Sequence, residues 1–232
     1  MTPATDKELT TNLLNKMRAA VLGANDGIVS TASVVMGVAG ATSNHQTIAT
    51  AGLAALVAGA LSMAVGEYVS VSSQSDAEKA YIAKEKQKLS DNPERELKLL
   101  AEAYQQQGIT KKTAMQVAKE VTKKEPLKAH LRMHFGIDQD DIISPMQAAI
   151  ASLFAFTAGG LVPFVAMVFS PEAWRIWVTI IAVTVALIAT GYFSAVAGEA
   201  SRGRAIGRIL AGGLLAMIVT YYVGVLFGTA IN

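Results

Sequence analysis

Long apolar runs alternate with polar stretches along this chain of 232 residues. About 20 consecutive apolar residues are enough for a helix that crosses a bilayer. Five runs of 23 residues or more reach this length, and they cover residues 19–41, 47–70, 146–169, 173–198 and 205–229. The pattern therefore predicts an all-α, polytopic membrane protein with five transmembrane helices.

A polar insertion separates the second apolar run from the third and has the pattern of amphipathic helices. No glycine or proline lies between Glu67 and Leu89, so the second membrane helix is predicted to continue into the insertion. Helix-breaking residues then define three further helices, with breaks at Asn92-Pro93, Gly108, Glu125-Pro126 and Gly136. We expect a small cytosolic helical bundle between helices 2 and 3. The predicted division of the chain is residues 1–75, 76–141 and 142–232.

The charged residues concentrate in this insertion. Residues 76–141 hold 12 of the 18 acidic and 13 of the 20 basic residues. The two signs are interleaved rather than gathered into a basic stripe, which argues against a nucleic-acid partner. The chain has no cysteine, so disulfides and thiolate metal sites are excluded.

Lysine and arginine also indicate the orientation in the bilayer, because cytosolic loops carry an excess of both. The N-terminal arm, the insertion and the connection around Arg202 and Arg204 are basic, whereas the opposite side has only Arg175. Five crossings put all three basic regions on one side. We therefore expect the N-terminus and the insertion in the cytosol and the C-terminus on the far side. The polar arm lacks the apolar core of a signal peptide, so the first apolar run is expected to stay as an anchor.

One acidic residue lies inside the first apolar run. Asp26 is the only ionisable side chain between Ala19 and Ala41, and it lies about 10 Å along a helix from Ala19. A carboxylate in a membrane helix costs roughly 2.5–3.5 kcal/mol on insertion scales. A position at the headgroup level or a capping role would lower that cost. The depth favours a functional site in an ion pathway instead.

The inner end of the second apolar run offers two further ligands. Met63 and Glu67 are four residues apart and share a helix face. A thioether beside a carboxylate suits a borderline transition metal better than calcium or magnesium. The alternative is that Met63 only packs and that Glu67 only reaches the interface. Because Asp26 and Glu67 both fall on the cytosolic half of their helices, we expect them to converge.

Candidate metal ligands also recur at helical spacing in the insertion. They are Glu78, Glu85, Glu96, Glu102 and the i, i+4 pair His130 and His134. Carboxylates and imidazoles on facing helices can enclose a divalent ion. The alternative is a solvated charged surface, which the nearby Lys84 and Lys86 favour for part of the set.

No catalytic constellation accompanies these ligands, so the chain is predicted to be neither an enzyme nor the holder of a cofactor. The histidines are not accompanied by a serine or cysteine in a pattern typical of a catalytic nucleophile. No Gly-rich phosphate-binding loop is present either. A di-iron oxidase would need Glu-x-x-His pairs, which the insertion lacks. A transporter without a nucleotide site must use a gradient. Metal ligands bind in the deprotonated form, so metal binding and proton release are linked.

Three stretches of the chain resemble the vacuolar iron transporter family and its bacterial members. They are GANDGIVSTASVVMGVAGA, SMAVGEYVSVSSQSDAEKA and SPMQAAIASLFAFTAGGLVPF. The resemblance extends from about Leu14 to Gly228. It implies a homodimer in a lipid bilayer that moves ferrous iron, often with manganese, out of the cytosol in exchange for protons. It also implies that Asp26, Met63 and Glu67 are the pathway aspartate, methionine and glutamate.

The same resemblance implies a metal-collecting site in the insertion. Its best matches to the ligand glutamates are Glu85, Glu96 and Glu102, whereas Lys88 stands where another glutamate is expected. His130 and His134 occupy the places of a methionine and a glutamate. The site is therefore either rebuilt with imidazoles, which favour softer divalent ions, or weakened.

Two other functions remain open on the sequence. One is a manganese-selective exporter, because carboxylates suit Mn²⁺ as well as Fe²⁺. The other is a membrane-anchored metal sensor or buffer that does not transport, although an anchor has no reason to bury Asp26. The chain shows no targeting extension, which favours the plasma (inner) membrane of a bacterial cell. Export from the cytosol would then mean efflux.

Overall fold

The computed structural model describes residues 3–137 and 144–231, and the side chains of residues 20–137 and 144–228. All regular structure within these residues is helical. The helices are α1 (Pro3–Ala41), α2 (His45–Asp91), α3 (Pro93–Gln106), α4 (Lys111–Lys124), α5 (Pro126–Phe135), α6 (Pro145–Phe169), α7 (Arg175–Ala197) and α8 (Arg202–Ile231). Among the described residues, the five helices α1, α2, α6, α7 and α8 are long and apolar enough to cross a membrane. The predicted fold class is confirmed.

The helix boundaries follow from local chemistry. The 47 residues of α2 span about 70 Å, more than twice the roughly 30 Å of a bilayer's hydrocarbon core. The second membrane helix therefore continues beyond the length of one crossing, as the sequence predicts, and its polar second half forms this extension. Asn92 caps the start of α3, because its side-chain Oδ1 accepts a hydrogen bond of 3.1 Å from the backbone N–H of Arg95. Pro93 occupies the first turn of the helix. Gly136 ends α5 in the left-handed region, with φ of 65°.

The chain forms two compact units. The membrane unit comprises Met1–Tyr68 and Met146–Asn232, and the insertion unit comprises Val69–Pro145. The predicted domain boundary at residue 141 falls within 138–143, outside the described residues. The N-terminal arm is continuous with the first membrane helix, because α1 begins at Pro3.

All five membrane helices contribute to the core of the membrane unit. The buried residues of this core are Ile28, Ala32, Val35 and Met36 of α1, Ile48 of α2, Met167 of α6, Val183 and Leu187 of α7 and Met217 of α8. Glycines bring the backbones close together. A Cβ on Gly27 would meet the carbonyl oxygen of Phe156 on α6, and one on Gly224 would meet that of Gly37 on α1. Small residues allow this approach between helices in lipid.

The insertion unit has a smaller core of its own. Leu100 and Ala101 of α3 are buried against Ala118 of α4, and Ala129 and Met133 of α5 pack against this cluster. The amphipathic pattern of α3 and α4 accounts for the arrangement, because each helix turns one apolar stripe inward.

Candidate functional site

The first candidate site is a cleft of about 360 Å³ in the membrane unit. Residues of α1, α2 and α6 line it, and these are Asp26, Ser30, Val34, Ala55, Gly59, Ser62, Met63 and Phe156. The hydroxyl group of Ser30 donates a hydrogen bond of 2.7 Å to the Asp26 carboxylate. The cleft therefore presents a carboxyl group, hydroxyl oxygens and one thioether sulfur to the same space.

Helical spacing explains how α1 contributes to this cleft. Asp26, Ser30 and Val34 follow one another at four-residue steps, so they share a face of α1. This face is exposed in the single chain, whereas Ile28 and Ala32 on the other side are buried in the core. Asp26 is thus on the outward face of its helix rather than inside the five-helix core.

Met63 reaches the cleft from α2. Its Cε atom lies 3.6 Å from the position of a Cβ on Gly23, one turn before Asp26 on α1. The thioether of Met63 and the carboxylate of Asp26 therefore line one cleft. Glu67 lies one turn beyond Met63, is partly exposed, and is not among the residues lining the cleft. Its pathway role remains a prediction.

Sequence reasoning missed several residues of the cleft. Ser30 was recognisable in principle, because it lies four residues after Asp26 and has a side chain able to hydrogen-bond. Phe156 gave no such signal. Its place in the cleft depends on α6 packing against both α1 and α2, where the ring fills the space next to Gly59.

The second candidate site lies in the insertion unit. Glu85, His130 and His134 each offer a ligand atom, and these atoms lie within 4.8 Å of one another. Glu85 and His130 are buried, whereas His134 is exposed. A group of this size and composition can bind a divalent transition metal, with the exposed imidazole on the solvent side.

Hydrogen bonds orient the buried part of this group. The Nδ1 atom of His130 lies 3.1 Å from Oε1 of Glu85, and the Lys88 ammonium lies 3.0 Å from Oε2. Burial alone would raise the pKa of the Glu85 carboxyl, which lies in the polar half of α2. The contacts with Lys88 and His130 outweigh this effect and hold that pKa below its ordinary value of 4.5. Glu85 is therefore ionised near neutral pH.

The ionised carboxylate sets the tautomer of His130. It can only accept, so Nδ1 carries the proton and donates to Glu85, and Nε2 keeps its lone pair. Burial lowers the pKa of His130 below 6.5, although the neighbouring Glu85 carboxylate acts in the opposite direction. Because the lowered pKa lies below 7, the ring is neutral near pH 7. Nε2 is buried without a hydrogen-bond partner among the described residues. A histidine that donates to a carboxylate and presents its other nitrogen is typical of metal ligands.

The other predicted ligands of the insertion lie outside this group. Glu78 accepts a hydrogen bond of 2.9 Å from Gln74, and Glu102 is exposed. Glu96 is buried on α3, and its charge acts on His130. Whether these three carboxylates bind metal remains a prediction. The sequence also did not indicate that Lys88, at a position expected to hold a glutamate, would pair with Glu85.

The fold and these ligand sets define a polytopic helical membrane protein with candidate metal sites in its spans and in its insertion. The chain belongs to the VIT family, whose family model matches residues 17–225. Membership of this transporter family confirms the family-level resemblance and the prediction that the chain is not an enzyme.

Three relatives illustrate the similarity. "Vacuolar iron transporter" of Acanthamoeba castellanii is 40% identical over 214 residues, covering 92% of this chain and 79% of that protein. "Vacuolar iron transporter homolog 2" of Arabidopsis thaliana is 38% identical over 228 residues, covering 96% and 92% respectively. "Vacuolar iron transporter homolog 1" of Oryza sativa subsp. japonica is 36% identical over 213 residues, covering 91% and 74%.

Proposed function

We propose that this protein transports ferrous iron across a membrane, out of the cytosol and in exchange for protons. The observation that carries the proposal is the cleft that Asp26 and Met63 line together. A hard carboxylate oxygen combined with a soft sulfur suits first-row divalent ions such as Fe²⁺ and Mn²⁺. The names of the relatives favour iron as the substrate.

Proton exchange follows from the chemistry of the carboxylate. Asp26 binds a metal ion only when it is deprotonated, so loading releases a proton from a protonated cleft. When the metal leaves, protonation neutralises the carboxylate and lowers the cost of keeping it in the membrane. Ser30 donates to the charged carboxylate at 2.7 Å and holds it in place between these steps.

A homodimer would complete the cleft. The face of α1 that carries Asp26 and Ser30 is exposed in the single chain, and contact of a charged carboxylate with lipid is costly. A second copy related by a twofold axis would cover this face with the same face of its own α1. It would also bring a second carboxylate, so that two negative charges balance a divalent cation.

We assign a collecting role to the insertion, taken as residues 76–141 between the membrane segments 1–75 and 142–232. Glu85, His130 and His134 would capture the metal, with Glu78, Glu96 and Glu102 as further ligands and Glu67 on the route to the cleft. This role requires a cytosolic insertion and N-terminus and an extracytosolic C-terminus. Protease treatment of intact cells that carry a tag at either end of the protein tests this orientation. The C-terminal tag should be cleaved and the N-terminal tag protected. Cell fractionation tests the plasma-membrane location.

Metal flux into proteoliposomes with an imposed pH gradient tests the transport proposal. Asp26→Asn should slow Fe²⁺ flux about 10- to 100-fold, because losing a charged interaction costs about 1.5–3 kcal/mol. The matched control is Asp76→Asn, whose carboxylate is exposed on the polar half of α2. Flux through Asp26→Asn at the control's rate would contradict the pathway role.

The same assay separates the alternatives. A wild-type protein that binds Fe²⁺ but shows no flux under any pH gradient would be a sensor or buffer. Flux of Mn²⁺ that excess Fe²⁺ does not inhibit would identify a manganese-selective exporter. Fe²⁺ flux that does not respond to the pH gradient would contradict proton coupling while leaving transport intact.

A further inference from the structure

Both oxygens of the buried Glu85 carboxylate have partners within the insertion unit. Oε1 accepts a hydrogen bond of 3.1 Å from Nδ1 of His130, and Oε2 accepts one of 3.0 Å from the Lys88 ammonium. The side chain of Glu85 is 1% exposed, whereas that of Lys88 is 42% exposed. A buried carboxylate is therefore paired with a cation of its own helix, three residues further along the chain.

The same carboxylate supplies the negative charge of the candidate metal site. Glu85 is the acidic member of that group, and His130 and His134 are the other two. Nε2 of His130 is buried and has no hydrogen-bond partner among the described residues, so the group holds a ligand atom that is ready for a metal. Imidazoles bind metal in the neutral form. A divalent cation and the Lys88 ammonium therefore depend on one and the same charge.

Two cations on this carboxylate would repel each other. A metal ion bonds a carboxylate oxygen at about 2.0–2.2 Å, so an ion on Oε2 would lie at most about 5 Å from the Lys88 nitrogen. Charges this close repel each other even where solvent screens them in part. The lysine can withdraw, because its four-carbon stem is flexible and its side chain is partly in solvent. Withdrawal breaks a charge-assisted hydrogen bond, and metal binding has to overcome that cost.

We propose that Lys88 is a tethered competitor that sets the affinity of the insertion for divalent metal. A metal ion binds by displacing the ammonium from Glu85, so loading begins at a higher metal concentration than the three ligands alone would require. In a protein that exports metal, this threshold prevents the insertion from collecting the ion while it is scarce. The inference rests on the collecting role that we propose for the insertion.

The exposure of the two side chains sets the size of the effect. An exposed ion pair changes an equilibrium constant by no more than about fivefold, and a hydrogen bond to a charged group changes it by about 10- to 100-fold. Glu85 is buried and Lys88 is partly exposed, so the effect should lie between these limits. Neutralising Lys88 should therefore tighten metal binding about tenfold.

Calorimetric titration of the full-length protein in detergent tests the proposal, with Co²⁺ as a probe that neighbours Fe²⁺ in its ligand preferences. Lys88→Gln and Lys88→Ala should each bind Co²⁺ about tenfold more tightly than the wild type does. Agreement between the two variants excludes the glutamine amide as a new ligand. Lys88→Arg keeps the positive charge and should bind within about threefold of the wild type. Damage to the fold would weaken binding, so it does not account for a gain in affinity.

Two control experiments assign the effect to this site. Lys86→Gln removes the same charge from an exposed lysine, which lies on the other side of α2 from Lys88 because two residues turn a helix by about 200°. This variant should bind Co²⁺ within about twofold of the wild type. Adding His130→Ala to Lys88→Gln should abolish the gain in affinity, as expected for two groups that act at one site.

Unchanged or weaker Co²⁺ binding by both neutral variants would overturn the proposal, because Lys88 would then support the site instead of competing for it. An equal gain in Lys86→Gln, or a gain that persists without His130, would also overturn it. Metal flux reports separately on transport. Tighter binding by Lys88→Gln in a protein that shows no flux would retain this inference and reject the transport proposal. Normal flux with unchanged binding would do the reverse.

Discussion

Gly27 allows a single methyl group to test the packing of the membrane unit. A Cβ on this residue would meet the carbonyl oxygen of Phe156 and would lie 2.9 Å from the backbone nitrogen of Gly160. Both are backbone atoms of α6, so they cannot rotate away as the end of a flexible side chain can. Gly212 on α8 is the matched control, because nothing lies within 4 Å of a Cβ there.

The structure sets the expected difference between the two alanine variants. The gain in helix propensity, about 0.8–1.0 kcal/mol, is common to both and cancels. At Gly27 the overlap forces α1 and α6 apart, and overpacking of this kind costs about 1–3 kcal/mol. The free energy of unfolding of Gly27→Ala should therefore lie about 1–3 kcal/mol below that of Gly212→Ala. This corresponds to a melting temperature lower by roughly 2–12 °C for a chain of this size.

Thermal unfolding in detergent, followed by tryptophan fluorescence, measures this difference. Trp174 and Trp177 lie at the start of α7 and serve as natural reporters. Equal melting temperatures for the two variants would refute the reasoning, since they would mean that α6 accommodates the extra methyl group without cost. Because α1 carries Asp26 and α6 carries Phe156, Gly27→Ala should also slow metal flux.

Three further predictions concern side chains whose contacts the structure defines. Replacing His130 and His134 together with alanine should weaken metal binding to the full-length protein at least about tenfold by calorimetry, and unchanged affinity would assign both to the solvated surface. The insertion unit should lose stability in acid, because the lowered pKa values of His130 and Glu85 mean that the unfolded chain binds more protons. The loss should begin near pH 6.5 and deepen below pH 4.5, and melting temperatures between pH 8 and pH 4 that do not decline would contradict it. Arg175 is buried and donates a hydrogen bond of 2.9 Å to the backbone oxygen of Ser43. Arg175→Ala should therefore lower the free energy of unfolding, measured by chemical denaturation, by about 1–3 kcal/mol. A change within experimental error would show that this hydrogen bond does not stabilise the protein.

The helices could be predicted from the sequence because their determinants are local. The length of an apolar run decides whether a helix can span a bilayer, and proline or glycine decides where it ends. Pro93 and Gly136 therefore marked the bounds of α3 and α5 correctly. Spacing within one helix was equally informative, since His130 and His134 had to share a face.

Glycine spacing shows where local information ends. Gly23 and Gly27 on α1, at a four-residue spacing, do pack closely against α6. Gly203 and Gly207 have the same spacing, yet nothing lies within 4 Å of a Cβ on either. The motif permits close approach, but which helix approaches depends on all the other contacts of the bundle.

Only the tertiary structure decided which ligands meet. His130 and Glu85 are 45 residues apart, and their hydrogen bond exists because α5 packs beside the polar half of α2 within the insertion unit. Asp26 and Met63 likewise share a cleft because of the way α1 turns against its neighbours. Composition and periodicity identify which residues can bind a metal. The rotation of each packed helix about its own axis determines which of them face one another, and that rotation minimises the free energy of the whole bundle rather than of any one segment.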